Sequence, residues 1–178
     1  METPGTAAGE AARWQDEVYD LLRQHDVTQF SYVPDAGHKI LIDRSIADPD
    51  VYSVALTTEE EGVALIAGAD LGGARGVLLM QSSGVGNCIN MLSLISGGHF
   101  PFLALISMRG DFGEGNPWQF PMGQATVPVL EAMGVKCFRA DTPAEALAAV
   151  AAACTMVFQA GQAVAVLFTQ KLLGAKKF

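Results

Sequence analysis

Apolar residues recur along this chain in two rhythms. Trp14, Val18, Leu21 and Leu22 follow the spacing of one helix face and predict an amphipathic opening helix over Ala11–His25. Beyond it, short continuous apolar runs alternate with longer mixed segments. VTQFSYV (27–33), VYSVAL (51–56), GVLLMQ (76–81), FLALIS (102–107), VKCFRA (135–140) and AVAVLFT (163–169) read as strands. They lack the in-and-out alternation of a strand with one wet face, as expected of strands covered on both faces. Helices are predicted over Glu60–Leu71, Asn87–Ile95, Thr126–Met133 and Pro143–Gln159, the third stopped by Gly134 and the fourth opened by Asp141-Thr142-Pro143. The alternation predicts an α/β fold: a single open parallel β-sheet of about six strands with helices on both faces. No repeat or linker divides it, so residues 11–178 are expected to form one domain behind a disordered lead over 1–10.

Open parallel sheets bind ligands beyond the carboxyl ends of their strands. The first four strands are followed there by PDAGH (34–38), TTEEE (57–61), SSGVGN (82–87) and RGDFGEGNPWQFPMG (109–123), whereas the opposite edge carries only the short connectors GGARG, SGGHFP and AMG. Polar, glycine-rich sequence is thus gathered at one edge. His38 lies at that edge and is a candidate for substrate contact; His25, at a helix end, and His99, at the other edge, read as structural. Acids at a helix start suit the helix dipole, and Thr58-x-x-Glu61 and Thr57-x-x-Glu60 both fit a capping box. Capping leaves a third acid over, beside a helix apolar enough to bury it. In SSGVGN two glycines before a helix would let backbone N–H groups approach an anion or a flat ring. The spacing is neither that of a dinucleotide fingerprint nor that of a serine-hydrolase elbow. Asp111 and Glu114 read as acids of a glycine-rich surface loop rather than as metal ligands.

Composition narrows the field further. The net charge of −8, with basic residues gathered only at Lys171, Lys176 and Lys177, excludes a nucleic-acid footprint. No apolar stretch is long and unbroken enough to cross a bilayer, and the first residues lack the pattern of a secretory signal, so a cytoplasmic location is expected. Cys88, Cys137 and Cys154, odd in number and set in apolar surroundings, predict core packing rather than a disulfide or a zinc site. A mean hydropathy of +0.27 is high for a lone subunit and predicts self-association.

Four stretches in order, YVPDAGH, EEEGVALIAGADLGG, VLLMQSSGVGNCIN and RGDFGEGNPWQFPMGQAT, resemble the pyrimidine-binding (PYR) domain of thiamine-diphosphate-dependent 2-oxo-acid decarboxylases. Within that group the resemblance is to sulfopyruvate decarboxylase alpha subunits and the matching half of phosphonopyruvate decarboxylase, and it runs from about Val27 to Thr169. In that family an acid stands nine residues before the glycine of the small-residue helix, and counting back from Gly68 gives Glu59. The resemblance therefore implies that Glu59 is the catalytic acid that activates the pyrimidine of thiamine diphosphate, with Glu60 and Glu61 left at the helix start. It further implies that Ser83, Gly84, Gly86 and Asn87 join Glu59 in binding the cofactor. Pro34, Asp35, Gly37, His38 and Arg109 would face the substrate; Arg109 could grip a sulfonate or phosphonate through two parallel hydrogen bonds, or alternatively pair with Asp111 or Glu114 and merely hold its loop.

The chain departs from the family pattern in three places. Ala36 stands where the family usually has serine, and Gln119 where related sequences often carry histidine. The GDG signature for diphosphate is missing, which implies a separate diphosphate-binding (PP) beta subunit that holds Mg2+, with no metal ligands here. Gly62, Ala64, Ala67 and Gly68 suit close packing against another subunit. The implied activity is decarboxylation of a 2-oxo acid of the sulfopyruvate or phosphonopyruvate type; the alternatives are a carboligase of the acetolactate type and a catalytically degenerate module serving assembly or regulation.

Overall fold

Each of the six apolar runs is a strand in the computed structural model, which describes residues 6–175. They are β1 (Val27–Tyr32), β2 (Tyr52–Ala55), β3 (Arg75–Gln81), β4 (Phe102–Ser107), β5 (Lys136–Ala140) and β6 (Ala163–Phe168). All pairings are parallel, in the order β2-β1-β3-β4-β6-β5. The inner strand β4 shows why the runs are continuous. Leu103 and Leu105 pack into the core on one face, while Phe102, Ala104 and Ile106 pack into the core on the other. β2, at one edge, is only partly covered, because it has a neighbour on one side alone.

The helices fill both faces. α1 (Thr6–Gln24), α2 (Lys39–Ala47) and α7 (Pro143–Phe158) cover one face through residues such as Val18, Leu22, Leu41 and Val150. The other face is covered by α3 (Glu59–Leu71), α4 (Ser82–Cys88), α5 (Leu92–Gly98) and α6 (Phe120–Ala132), and a short α8 (Gln170–Leu173) follows β6. Cys88 and Cys154 are buried in these cores, and burial pushes each thiol up to about 12.

Several boundaries differ from the sequence expectation. α1 begins at Thr6, inside the stretch expected to be a disordered lead, and residues 1–5 lie outside those described, as do Lys176 and Lys177. α2 was not foreseen, since its apolar trio Ile40, Leu41 and Ile42 is too short to show a helical period. The single helix expected over 87–95 is two, and SSGVGN belongs to the first of them. Two glycines disfavour a helix there, but tertiary contacts described below require them. α6 starts at Phe120, with Pro121 in its first turn, where a missing N–H costs little.

The small residues of α3 divide. A Cβ on Gly62 would lie 2.4 Å from Leu78 Cδ1, so this glycine lets α3 close on the sheet of its own chain. Ala67 is buried against the same core, and only Ala64 and Gly68 face outward.

Candidate functional site

The chain leaves β1 outward to β2 and returns past it to β3, so the strand order reverses at β1 and β3. Ligand crevices form beyond the carboxyl ends at such a reversal. Two polar clusters lie at this edge, one toward each face of the sheet.

The first is built on Glu59, the opening residue of α3. The three acids of this turn have three fates. Glu61 reaches back to accept the Thr57 N–H at 2.8 Å, one residue earlier than a capping box requires, and the Thr58 side chain makes no cap bond. Glu60 is exposed, and Glu59 is only 7 % exposed. Glu59 Oε2 accepts the Asn87 Nδ2–H at 2.8 Å, the one donor to this side chain among the described residues. Its other oxygen lies directly over Gly84. A Cβ at Gly84 would fall 2.3 Å from Glu59 Oε1 and 2.4 Å from Cδ, so any larger residue would displace the carboxylate. Gly86 admits α6 in the same way, with Met122 Sδ 3.3 Å from where its Cβ would be. The glycines of SSGVGN thus serve side-chain approach rather than a loop.

The second cluster crosses the ends of β1, β3 and β4. Asp35 Oδ2 accepts the Gly37 N–H at 2.9 Å and the Ser107 hydroxyl at 2.6 Å, while Oδ1 accepts Gln81 Nε2 at 3.2 Å. Gln81 in turn accepts the Ser83 hydroxyl at 2.9 Å, which links this cluster to α4. A Cβ on Gly37 would meet Ser107 Cβ at 2.6 Å, so glycine is required for the turn to pack on β4. Beside Asp35 opens a cavity of about 150 Å³ lined by Trp14, Gln15, Ser107, Arg109, Gln170 and Leu173, among others. Drug-sized ligand sites run to roughly 300–1,000 Å³, so this one suits a molecule of a few heavy atoms.

Arg109 borders the cavity with its side chain 13 % exposed. Its Nε and Nη2 donate to Glu114 at 2.5 and 2.8 Å. The Glu114 side chain is fully buried, and the Arg109 guanidinium holds its carboxyl down at about 2. Asp111 pairs with Arg139 at 2.9 Å. Both loop acids are therefore committed to arginines, and among the described residues no cluster of acids, histidines or cysteines has the arrangement of a metal site.

Comparison with known proteins places the chain. No family model matches it. It is 39 % identical over 132 residues to sulfopyruvate decarboxylase subunit alpha of Methanococcus maripaludis, covering 74 % of this chain and 79 % of that one. To the same subunit of Methanocaldococcus jannaschii it is 34 % identical over 152 residues, or 85 % and 90 % of the two chains. The chain belongs to the sulfopyruvate decarboxylase alpha-subunit family. Phosphonopyruvate decarboxylase of Streptomyces viridochromogenes is 37 % identical over 107 residues, 59 % of this chain and 27 % of that protein. Among solved structures, 2-oxoglutarate:ferredoxin oxidoreductase from Magnetococcus marinus superposes with a TM-score of 0.73 at 14 % identity, over 90 % of this chain and 29 % of that one. At that identity the likeness shows the fold alone.

In this alpha-subunit fold the expected site residues separate into groups. Glu59, Gly84 and Asn87 come together, with Ser83 turned toward Gln81 and Gly86 toward α6. Asp35, Gly37 and Arg109 meet at the cavity, and Pro34 is exposed nearby in sequence. His38 does not join them. It is completely buried, its Nε2 is 3.2 Å from the Met80 carbonyl and its ring lies 5.9 Å from that of Phe168. The short 3-10 turn at Ala36–His38 runs straight into α2 and drives this side chain inward, where burial holds its pKa below the ordinary value. There the neutral ring donates to the Met80 carbonyl at the end of β3 rather than lining the cavity. Trp14, Gln15, Ser107 and Gln170 escaped the sequence reading. Gln170 follows the sixth strand, and extending the strand-end survey past the fourth strand would have found it.

Proposed function

We propose that this chain is the pyrimidine-binding (PYR) subunit of a two-subunit thiamine-diphosphate-dependent decarboxylase acting on sulfopyruvate, phosphonopyruvate or a close 2-oxo acid, with residues 11–178 as its PYR domain. The observation that carries this reading is Glu59, a buried carboxylate at the carboxyl end of β2, held by one neutral donor against an obligatory glycine. A carboxylate offers about four acceptor sites, and a single hydrogen bond leaves Glu59 able to take another donor. That open acceptor fits the N–H of a protonated pyrimidine. When bound, thiamine diphosphate supplies the electron sink that loss of carbon dioxide from a 2-oxo acid needs. Glu59 would hold the proton at the ring nitrogen, Asn87 would keep its carboxylate in one orientation, and Gly84 would leave the space clear. Diphosphate and Mg2+ fall to a PP-type beta subunit, in keeping with the alpha-subunit names of the relatives.

The cavity beside Asp35 and Gly37 is the substrate side of this reading. Arg109 reaches it with a changed role. Its Nε–Nη2 edge is taken by Glu114, so the grip on a second anion would come from the remaining Nη1 edge of a charge-balanced pair.

Reconstitution tests the reading. Co-expression with a PP-type subunit should give carbon dioxide release from sulfopyruvate or phosphonopyruvate in the presence of thiamine diphosphate and Mg2+, and the chain alone should give none. Release by the chain alone, or none from any 2-oxo acid in the reconstituted enzyme, would overturn it. A condensation product, with one carbon dioxide released for every two 2-oxo acids consumed and no free aldehyde, would favour a carboligase.

A further inference from the structure

Gln170 opens α8 and is 2 % exposed, yet its side chain makes every one of its hydrogen bonds to a loop some 56 to 59 residues away. Its Oε1 accepts both the Asp111 and Phe112 N–H groups at 3.1 Å. Its Nε2 donates to Glu114 Oε2 at 3.0 Å, and its own backbone N–H donates to Asp111 Oδ1 at 3.2 Å. The amide can lie only one way round, because two backbone donors face one end and a carboxylate faces the other. Glu114 then collects the bonds of Arg109 Nε and Nη2, Gly110 N–H at 3.4 Å and Asn116 N–H at 2.9 Å. A chain of contacts thus runs from α8 through Glu114 to the guanidinium at the cavity.

We propose that Gln170 is a positioning residue that sets Arg109 at the substrate cavity through Glu114. This rests on the reading above that the cavity receives the substrate. The loop it holds is irregular, with Gly110 and Gly113 in the left-handed region at φ +71° and +65°, so no regular backbone ladder fixes it. Gln170 supplies in its place two acceptor contacts and one donor contact from a rigid strand end. Without the donor, the Glu114 carboxylate loses one of the bonds that fix it, and Arg109, which is bonded to both of its oxygens, shifts with it relative to the cavity.

The test is steady-state kinetics with sulfopyruvate in the reconstituted two-subunit enzyme, for Gln170→Met, Arg109→Ala and the double variant. Gln170→Met, of similar length but without hydrogen bonds, should raise KM roughly 10- to 100-fold, the range of a lost bond to a charged group, with kcat within about twofold. In the Arg109→Ala background the same change should have almost no further effect on KM, since coupled residues are not additive. A KM rise of equal size in both backgrounds would overturn the proposal and leave Gln170 a scaffold residue. An unchanged KM in Gln170→Met beside a raised KM in Arg109→Ala would also overturn it while leaving the cavity assignment standing. No KM change in Arg109→Ala would instead remove the cavity assignment itself. Should Gln170→Met fail to assemble, Gln170→Asn keeps an amide but is one methylene too short to reach Glu114, and the same cycle decides with it.

Discussion

Two buried glutamates at one sheet edge are treated in opposite ways. Glu114 is saturated: five N–H groups donate to its carboxylate, two of them from the Arg109 guanidinium, and its pKa falls to about 2. Glu59 has a single neutral donor and a glycine beneath it. Burying a carboxylate costs several kcal/mol unless it is paired and hydrogen-bonded. Where that cost is fully offset, as at Glu114, the acid is a fastener for its loop. Where it is offset only in part, the acid keeps capacity for a partner from outside, and that is the state a cofactor-activating group requires. Burial is common to both acids; the unused acceptor capacity is what sets Glu59 apart and what the proposed function draws on.

Breaking Glu59 should have the largest effect. In the reconstituted enzyme, Glu59→Gln should lower kcat by about two to four orders of magnitude, the range for a lost acid–base group, with an unchanged melting temperature. Near-normal kcat would return Glu59 to the class of helix-start acids. Gly84→Ala sharpens the geometric half of the contrast. Its methyl would occupy the place of the Glu59 carboxylate, and a displacement of about 1 Å in such a group costs on the order of 100-fold in rate. A crystal structure of Gly84→Ala with Glu59 unmoved would contradict the cradle.

Glu114 should respond in stability. Glu114→Gln removes one member of a buried pair and leaves Arg109 uncompensated, which costs about 3 kcal/mol or more, measured by urea denaturation. The pH dependence follows from the same pair. Because folding lowers the Glu114 pKa from 4.5 to about 2, its stabilisation is fully present above about 4.5 and is lost as the pH falls toward 2. The denaturation midpoint of the wild type should drop through that window more steeply than that of Glu114→Gln. At the small end, Glu60→Gln, on the exposed side of the same helix turn as Glu59, should stay within about 0.5 kcal/mol of wild-type stability and leave kcat unaltered.

Much of the architecture was legible from local pattern. A strand buried on both faces must be apolar throughout, and a parallel sheet must return its chain through helices, so the six runs announce strands wherever they pair. The gathering of polar loops at one edge follows, because strands that share a direction share a carboxyl end. That one of the three acids would be buried was legible for a related reason, since they stand at a strand end before a helix too apolar to need them all; the count from Gly68 in the family resemblance singled out Glu59. Which donor each buried carboxylate receives was another matter. Asn87 is 28 residues from Glu59 and Gln170 is 56 from Glu114, and neither separation leaves a trace in any periodicity. His38 shows the same limit, since whether a residue at a strand end faces the solvent or the sheet depends on a single turn of backbone and on the helix behind it. Gly84 and Gly62 read as loop-former and subunit contact, and packing made each a clearance for a side chain of its own chain. Local sequence carries periodicity and backbone preference, so it determined the sheet and the edge where its polar loops gather. Clearance and hydrogen-bond partnership exist only between segments already folded together, so only the tertiary structure could decide which acid was fastened and which was left open.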